Sequence, residues 1–159
     1  MEIREASERD TGDLNRIIRA SFRDVAERFS LTAENCPTHP SFCTAAWLEA
    51  AVGKGLRFYI LEDGGSGCGC AALEIAGPQV CYLERLAVLP PYRHRGLGER
   101  LVRHVLDEAR VAGAERVEIG IIAAQAELRD WYLGLGFEET ARKSFEHLPF
   151  EVTFMSCRL

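Results

Sequence analysis

In the middle of the chain, an apolar segment with the character of a strand leads into a glycine-spaced turn and then into a long amphipathic helix. The turn covers residues 93–98 and has the sequence RHRGLG. The first N–H groups of a helix have no intrahelical acceptor, and together with the helix dipole they form a site for an anion. Gly96 and Gly98 leave room for phosphate oxygens close to the backbone, and Arg93 and Arg95 can donate charge-assisted hydrogen bonds. The segment predicts a strand–turn–helix unit that binds phosphate.

Two familiar phosphate loops are excluded at this turn. A Walker loop would continue with Gly-Lys and Ser or Thr, which do not follow here. The dinucleotide fingerprint needs a third glycine and a regular βαβ repeat, and both are missing. A lone Gly-x-Gly would favour a loop whose glycines serve only tight packing. The strand before this turn, its arginines and the helix after it favour phosphate binding instead.

Hydrophobic periodicity and turn residues predict the element order βααβββαβαββ, an α/β chain with a mixed sheet flanked by helices. No repeat, low-complexity tract or Pro-rich linker divides the sequence, so we expect one domain over residues 1–159. The predicted strands cover 2–6, 57–62, 68–75, 80–89 and 116–122, with two closing strands after Gly136 that separate near Pro149. The predicted helices begin near Asp10 and Ala45, and two later ones cover 99–112 and 125–135.

Charge and hydropathy limit the partners and the location. The net charge of −5 argues against nucleic acid, whose backbone is held by clustered Lys and Arg. No apolar run approaches the roughly 20 residues that cross a bilayer, and the charged N-terminus lacks the apolar core of a secretory signal. We therefore expect a cytoplasmic protein that binds neither nucleic acid nor membrane.

The cysteines predict packing rather than metal binding. The chain has six of them, which we expect to be reduced thiols in a cytoplasmic protein. Cys68 and Cys70 are separated by one residue, whereas structural zinc sites use a spacing of two to four, and no second pair follows. We expect no metal.

Two motifs together resemble the GNAT family of acetyl-CoA-dependent N-acetyltransferases. The turn at 93–98 matches the family's Arg/Gln-x-x-Gly-x-Gly/Ala pyrophosphate signature, and the strand residues 86–88 match those that precede it. Downstream, residues 125–137 resemble the pattern Asn-x-x-Ala-x-x-Leu-Tyr-x-x-x-Gly-Phe, with Gln125 in place of Asn and Leu128 in place of Ala. Strong similarity covers about 82–139. It implies a mostly antiparallel central sheet in which splayed strands form a slot for coenzyme A (CoA).

The resemblance implies acetyl-CoA as co-substrate, an amine as acceptor, and a set of cofactor-binding residues. A backbone N–H near Leu86, beside a strand bulge, would bind the thioester oxygen, and Val88 would engage the pantetheine arm. Gln125 would replace the usual Asn at that arm, and Arg100 can reach an outer phosphate. Family members commonly pair, which makes a homodimer possible. The full cofactor set is Leu86, Ala87, Val88, Arg93, His94, Arg95, Gly96, Leu97, Gly98, Glu99, Arg100 and Gln125.

Two residues are candidates for proton transfer. Tyr132 occupies the family position that protonates the departing sulfur, with core packing as its alternative role. Glu84 lies where relatives place a general base, with a salt bridge to a nearby Arg or an exposed strand end as its alternatives. Period-two alternation predicts that Tyr82, Glu84, Leu86 and Val88 share one face of the strand.

Several functional alternatives remain open in the sequence. His39 and His147 lie in loops that line the acceptor pocket in this fold, where each can serve acid–base chemistry, bind the acceptor or do neither. The predicted function is acetyl transfer to a small-molecule or peptide amine. The competing hypothesis is a non-catalytic acyl-CoA-binding domain, against which Tyr132 and Glu84 argue. A reshaped pocket would also allow O-acetyl transfer or a longer acyl donor. No residue pattern names the acceptor.

Overall fold

A computed structural model describes residues 1–159, which form seven strands and four helices together with three short 3-10 turns. The predicted order of strands and helices is confirmed, and their ends shift by at most two residues because strands and helices fray where side chains leave the core. The strands are β1 Glu2–Glu5, β2 Arg57–Asp63, β3 Ser66–Ile75, β4 Val80–Val88, β5 Arg116–Ile122, β6 Glu138–Ser144 and β7 Glu151–Arg158. The helices are α1 Thr11–Arg28, α2 Ala45–Gly53, α3 Leu97–Val111 and α4 Ala126–Gly134.

All seven strands belong to one sheet with the order β1-β2-β3-β4-β5-β7-β6. Every neighbouring pair is antiparallel except β4 and β5, which are parallel. A parallel pair needs a crossover connection, and α3 provides it. The predicted fold class, a mixed and mostly antiparallel sheet flanked by helices, is confirmed.

Each face of the sheet is covered by its own hydrophobic core. On one face, α3 contributes Leu101, Val102 and Val105, all fully buried, to what we call the α3-side core. On the other face, α1 contributes Leu14, Ile17 and Ile18, and α2 contributes Leu48, to the α1-side core. These are the apolar stripes that the helical periodicity predicts. All six cysteines are buried free thiols.

The two parallel strands separate part-way along their length. Their register runs only from Val80 opposite Arg116 to Tyr82 opposite Glu118. Beyond that point β4 stays paired with β3, and β5 stays paired with β7 through Ile122. The predicted splayed strands are therefore present, and they leave a slot in the middle of the sheet.

A bulge in β4 lies at the beginning of this slot. Cys70 pairs with Ala87 and Ala72 with Glu84, so two residues of β4 oppose one of β3. Arg85 takes a φ of +52°, a left-handed conformation that is rare outside glycine. The extra residue reverses the alternation of side chains along the strand.

The predicted common face of four β4 side chains is therefore wrong. Leu83 before the bulge and Leu86 and Val88 after it all pack against the α3-side core. Glu84 pairs with Ala72 and Tyr82 with Glu74, on the face of the α1-side core. Simple alternation counts residues and takes no account of a bulge, which inserts one.

None of the helices is both long enough and apolar enough to cross a membrane. The cytoplasmic location and the pairing of two copies stay predictions.

Candidate functional site

A cavity of about 520 Å³ opens where β4 and β5 separate. Its lining comes from the end of β4, the turn after it, the first residues of α3, one side of α1 and the start of α4. The predicted cofactor residues on this lining are Leu86, Ala87, Val88, Arg93, His94, Gly96, Leu97, Gly98, Glu99 and Gln125. The fold therefore brings together ten residues that lie up to 39 positions apart in the sequence, from Leu86 to Gln125.

Six consecutive amides at the beginning of α3 have no acceptor within the protein. The N–H groups of residues 94–99 donate neither to a backbone carbonyl nor to a side chain, and the first helical bond is from Arg100 to Gly96. Gly96, which precedes α3, has a φ of +75°, and His94 has a φ of +62°. These left-handed residues turn the backbone so that the row of donors stays unpaired, which is the arrangement that an anion needs.

The two glycines of the turn have different physical roles. No atom lies within 4 Å of a Cβ built on Gly96, so its positive φ is what favours glycine there. A Cβ on Gly98 would lie 3.3 Å from the Trp131 ring. Gly98 therefore allows α4 to bring Trp131 against the start of α3, where Trp131 lines the cavity.

The side chain of Arg93 connects the turn to α1. Its Nε donates to the Val88 carbonyl at 3.2 Å, and one Nη donates to the Ser21 carbonyl at 2.7 Å. The other Nη forms an ion pair with Asp24 at 2.8 Å. With these partners the guanidinium holds the cavity walls together, while a direct bond to a phosphate stays a prediction.

Replacing Arg93 by Met is expected to lower the free energy of unfolding by about 2 kcal/mol, because two backbone carbonyls lose a charged donor. Urea denaturation followed by circular dichroism measures this change. Arg95→Met is the control, because Arg95 is exposed and forms no hydrogen bond, so a change below about 0.5 kcal/mol is expected. Equal effects of the two substitutions would contradict the anchoring role of Arg93.

Two predicted cofactor residues lie outside the cavity wall. The Arg95 guanidinium lies over the Tyr92 ring, 5.4 Å from its centroid. Arg100 donates to the Met1 carbonyl at 3.1 Å. Both side chains are exposed near the turn, where they contribute positive charge but do not line the cavity.

Glu84 lies beside the slot, on the α1 side of the sheet. Burial, together with a hydrogen bond to the carboxyl of Glu74 and the charge of that group, raises the pKa of its carboxyl to about 7. The salt bridge that was its alternative explanation is absent, since no Arg or Lys side-chain nitrogen lies within 4.0 Å of the Glu84 carboxylate oxygens. Glu118, a carboxylate on the neighbouring strand β5, pairs with Arg116 at 2.9 Å.

Tyr132 is buried in the α3-side core, with 5% of its surface exposed. Its ring contacts Trp131 and Phe137 edge-on, at centroid distances of 4.9 and 5.2 Å. Burial raises the pKa of its hydroxyl, so the proton stays bound at neutral pH. Trp131 lines the cavity and Tyr132 does not. Its role as an acid stays a prediction.

The two loop histidines differ sharply. His39 is 7% exposed, its Nδ1 lies 2.7 Å from Ser41 Oγ, and its ring lies edge-on to Phe22 at 5.9 Å. Burial, with the nearby charge of Arg85, lowers the pKa of His39 to about 4, so it is neutral at pH 7. His147 is exposed and contacts Phe145. His39 alone lies next to a residue of the cavity wall, Phe22.

Sequence reasoning missed the wall that α1 supplies. Ser21, Phe22, Asp24 and Val25 line the cavity. The ion pair between Arg28 and Glu127 connects α1 to α4 across it. The only available signal was that Phe22 and Val25 widen the apolar stripe of α1, and a stripe of this kind does not distinguish a core from a cavity wall.

A larger depression of about 1120 Å³ lies at the other end of α3. Its rim carries charged residues such as Arg110, Arg116 and Arg158, and it contains none of the predicted site residues. Size alone does not identify a functional site, and the free amides and the splayed strands favour the smaller cavity. No cluster of three or more His, Cys, Asp or Glu side chains is arranged to hold a metal ion.

Comparison with known proteins gives the family to which a chain with this splayed sheet and amide-lined turn belongs. Residues 16–137 match the family model "Acetyltransferase (GNAT) family". The chain belongs to the GNAT family. The resemblance seen in the two sequence motifs is thereby confirmed.

Two curated relatives show the range of this similarity. An amino-acid acetyltransferase from Neisseria meningitidis (serogroup A) is 35% identical over 98 residues, which cover 56% of this chain and 22% of that protein. The chain thus spans about a fifth of the length of that relative. A thialysine N-epsilon-acetyltransferase from Mus musculus is 27% identical over 154 residues, with coverage of 86% and 84%.

Among solved structures, YncA from Salmonella typhimurium, a putative acetyltransferase with its cofactor acetyl-CoA, has the same fold. Its TM-score is 0.75 at 23% identity, and the match covers 100% of this chain and 94% of that one.

Proposed function

We propose that this chain transfers the acetyl group of acetyl-CoA directly to the amine of a small molecule or peptide. The observation that carries this proposal is the row of six unpaired amides at residues 94–99, which faces a slot between splayed strands. A diphosphate bound at these amides would place the rest of the cofactor along the opening between β4 and β5. The acetyl-CoA found in the Salmonella protein of the same fold supports this choice of ligand.

The lining of the cavity fits such a ligand in both charge and shape. The amides and the dipole of α3 provide the positive end, and Arg95 and Arg100 add charge outside it. Leu86, Val88 and Leu128 offer an apolar surface for the pantetheine arm, and Gln125 offers a polar group at the start of α4. Acetyl-CoA supplies a thioester that is already activated, so no covalent enzyme intermediate is needed.

The proton transfers are assigned to two side chains. Glu84 would take the proton of the attacking amine, because a carboxyl whose pKa is about 7 is matched to proton transfer near neutral pH. An N–H near Leu86, after the bulge, would bind the thioester oxygen as negative charge develops on it. Tyr132 would give its proton to the departing sulfur. For this role its hydroxyl must be protonated at neutral pH, and burial keeps it protonated by raising its pKa.

The proposal is tested by two measurements on the purified chain. CoA and acetyl-CoA should both raise its melting temperature, and acetyl-CoA should release a free thiol when a panel of amines is added. Tyr132→Phe should reduce thiol release about 100-fold without changing stabilisation by CoA, because Phe keeps the ring contacts with Trp131 and Phe137.

Tyr59→Phe is the matched control. Tyr59 is 2% exposed in the same core, and its hydroxyl also has no partner. Removal of the Tyr59 hydroxyl in Tyr59→Phe should leave thiol release unchanged. Full activity of Tyr132→Phe would limit Tyr132 to packing, and CoA binding without turnover of any amine would favour a non-catalytic acyl-CoA-binding domain instead.

A further inference from the structure

The bulge in β4 places Arg85 in an unusual environment. Its left-handed backbone directs the side chain towards α2, where the guanidinium carbon lies 4.1 Å from the centroid of the Trp47 ring. A non-glycine residue with a positive φ is strained, and such strain concentrates at functional sites. Arg85 directly follows Glu84, and both side chains lie on the α1 side of the sheet.

The charge of Arg85 has no counter-ion in the protein. It forms no ion pair, and its buried Nη1 has no hydrogen-bond partner. Arg93, by contrast, is half-buried and has carboxylate and carbonyl partners. Burial lowers the pKa of Arg85, and the nearby charge of Glu84 offsets this only in part.

The neighbours of Arg85 supply at most part of the missing negative charge. Glu84 shares its hydrogen bond with Glu74 and has a pKa near 7, so it is partly protonated at neutral pH. The nearby thiols of Cys43 and Cys70 stay protonated, because burial raises the pKa of each. His39 is neutral. An anion that comes from outside the chain is the partner that this guanidinium fits.

The surroundings also indicate the shape of that anion. A guanidinium that stacks on an aromatic ring keeps its edge free for two parallel hydrogen bonds to a planar carboxylate. Two neighbours connect Arg85 to the cavity wall. His39, which lies near the charge of Arg85, contacts Phe22 of the wall, and Cys70, whose Sγ donates to the Arg85 carbonyl, shares the α1-side core with Ala87 of the wall.

We infer that Arg85 binds a carboxylate of the acceptor, so that the substrate is an amino acid with a free carboxylate near the amine that is acetylated. This inference rests on the proposed function, in which Glu84 receives the proton of that amine. The consecutive positions of Glu84 and Arg85 would hold the amine and the carboxylate of one small molecule side by side.

The experiment compares amino acids with their carboxamides, which keep the amine and the side chain but lose the negative charge. Thiol release from acetyl-CoA is measured with the twenty common amino acids and their amides. The best amino acid should exceed its own amide at least 10-fold in kcat/KM. Arg85→Met should remove this preference by raising the KM for the acid, with little change in the rate for the amide. Arg85→Lys should restore part of it, since Lys keeps the charge without the fork.

Thermal denaturation adds a readout that does not need turnover. Arg85→Met should leave the melting temperature equal or higher, since it removes an uncompensated buried charge. Arg93, whose guanidinium has carboxylate and carbonyl partners, should behave in the opposite way. Arg57→Met is the control, because Arg57 is also half-buried without an ion pair, and it should keep the preference for the acid.

The outcomes separate the two proposals. Equal turnover of acids and amides by the wild-type protein would overturn the carboxylate site and leave acetyl transfer intact. Failure of CoA to bind would overturn acetyl transfer. In that case the carboxylate site is tested by thermal stabilisation alone. Amino acids, but not their amides, should stabilise the wild-type protein and should fail to stabilise Arg85→Met. If amino acids do not stabilise the wild-type protein, the carboxylate site is overturned.

Discussion

Gly96→Asp is expected to abolish the stabilisation of this protein by CoA. At a ligand concentration of about 100 times Kd, binding stabilises the native state by about 2.7 kcal/mol, which raises the melting temperature by about 5–10 °C. Aspartate adds a negative charge among the unpaired amides of residues 94–99, where the diphosphate would have to lie. The substituted protein should therefore show a shift below about 1 °C at the same CoA concentration.

The matched control is Gly64→Asp in the turn between β2 and β3. Gly64 and Gly96 both have a positive φ, +58° and +75°, and neither would bring a Cβ within 4 Å of another atom. Both variants therefore carry a similar backbone strain and an added negative charge. Only Gly96→Asp places that charge at the unpaired amides of residues 94–99. Equal CoA shifts in the two variants would show that the diphosphate does not bind at this turn.

Glu84→Gln is expected to reduce kcat/KM for acetyl transfer about 100-fold or more, because it removes the group that receives the amine proton. The carboxyl acts as a base only after it has lost its own proton, and its pKa is about 7. The wild-type rate should therefore rise between about pH 5.5 and pH 8 with a midpoint near 7. In Glu84→Gln this rise should vanish, and only the titration of the amine itself should remain.

Stability gives an independent check on the same carboxyl. Its folded-state pKa lies above the value of about 4.3 for an unfolded Glu. The folded state thus binds the proton more tightly, and the stability that this provides is full below about pH 4.3 and is lost as the pH rises through about 7. The side chain of Glu84→Gln is neutral at every pH. The amount by which its melting temperature exceeds that of the wild type should therefore be larger at pH 8 than at pH 5.

Glu118→Gln is the control for both measurements, because Glu118 lies on β5 and is paired with Arg116. It should keep the wild-type rate and the midpoint near pH 7. An unchanged rate in Glu84→Gln would assign the base to another group or to water.

Much of the fold could be predicted from local patterns. The apolar stripes of α1 and α3 and the turn residues between the strands depend on neighbours close in sequence, and the element order follows from them. The phosphate turn is equally local, since a strand end, two glycines and a helix start lie within residues 86–101. The family was recognisable for the same reason.

The family resemblance implied a bulge near Leu86, but local patterns did not reveal it or the side chains that it turns to the other face. No glycine marks it, and the register with β3 that produces it depends on residues far away in the sequence. Its consequences were therefore missed as well, namely the change of face between Glu84 and Leu86 and the direction of Arg85 towards Trp47. The anchoring of Arg93 by Asp24 and Ser21 connects residues 69 and 72 positions apart, which no local pattern reveals.

The amino-acid order alone was enough for the sequence of helices and strands, the amide-rich turn and the family, because each depends on short-range periodicity and on residues with special backbone freedom. The three-dimensional packing was needed to show which side chains meet. It placed α1 along the cavity, raised the pKa of Glu84 by burial beside Glu74, and left the Arg85 guanidinium without a counter-ion. Burial and charge pairing depend on distances in space, and those distances are established only when the sheet closes and the helices pack on its two faces.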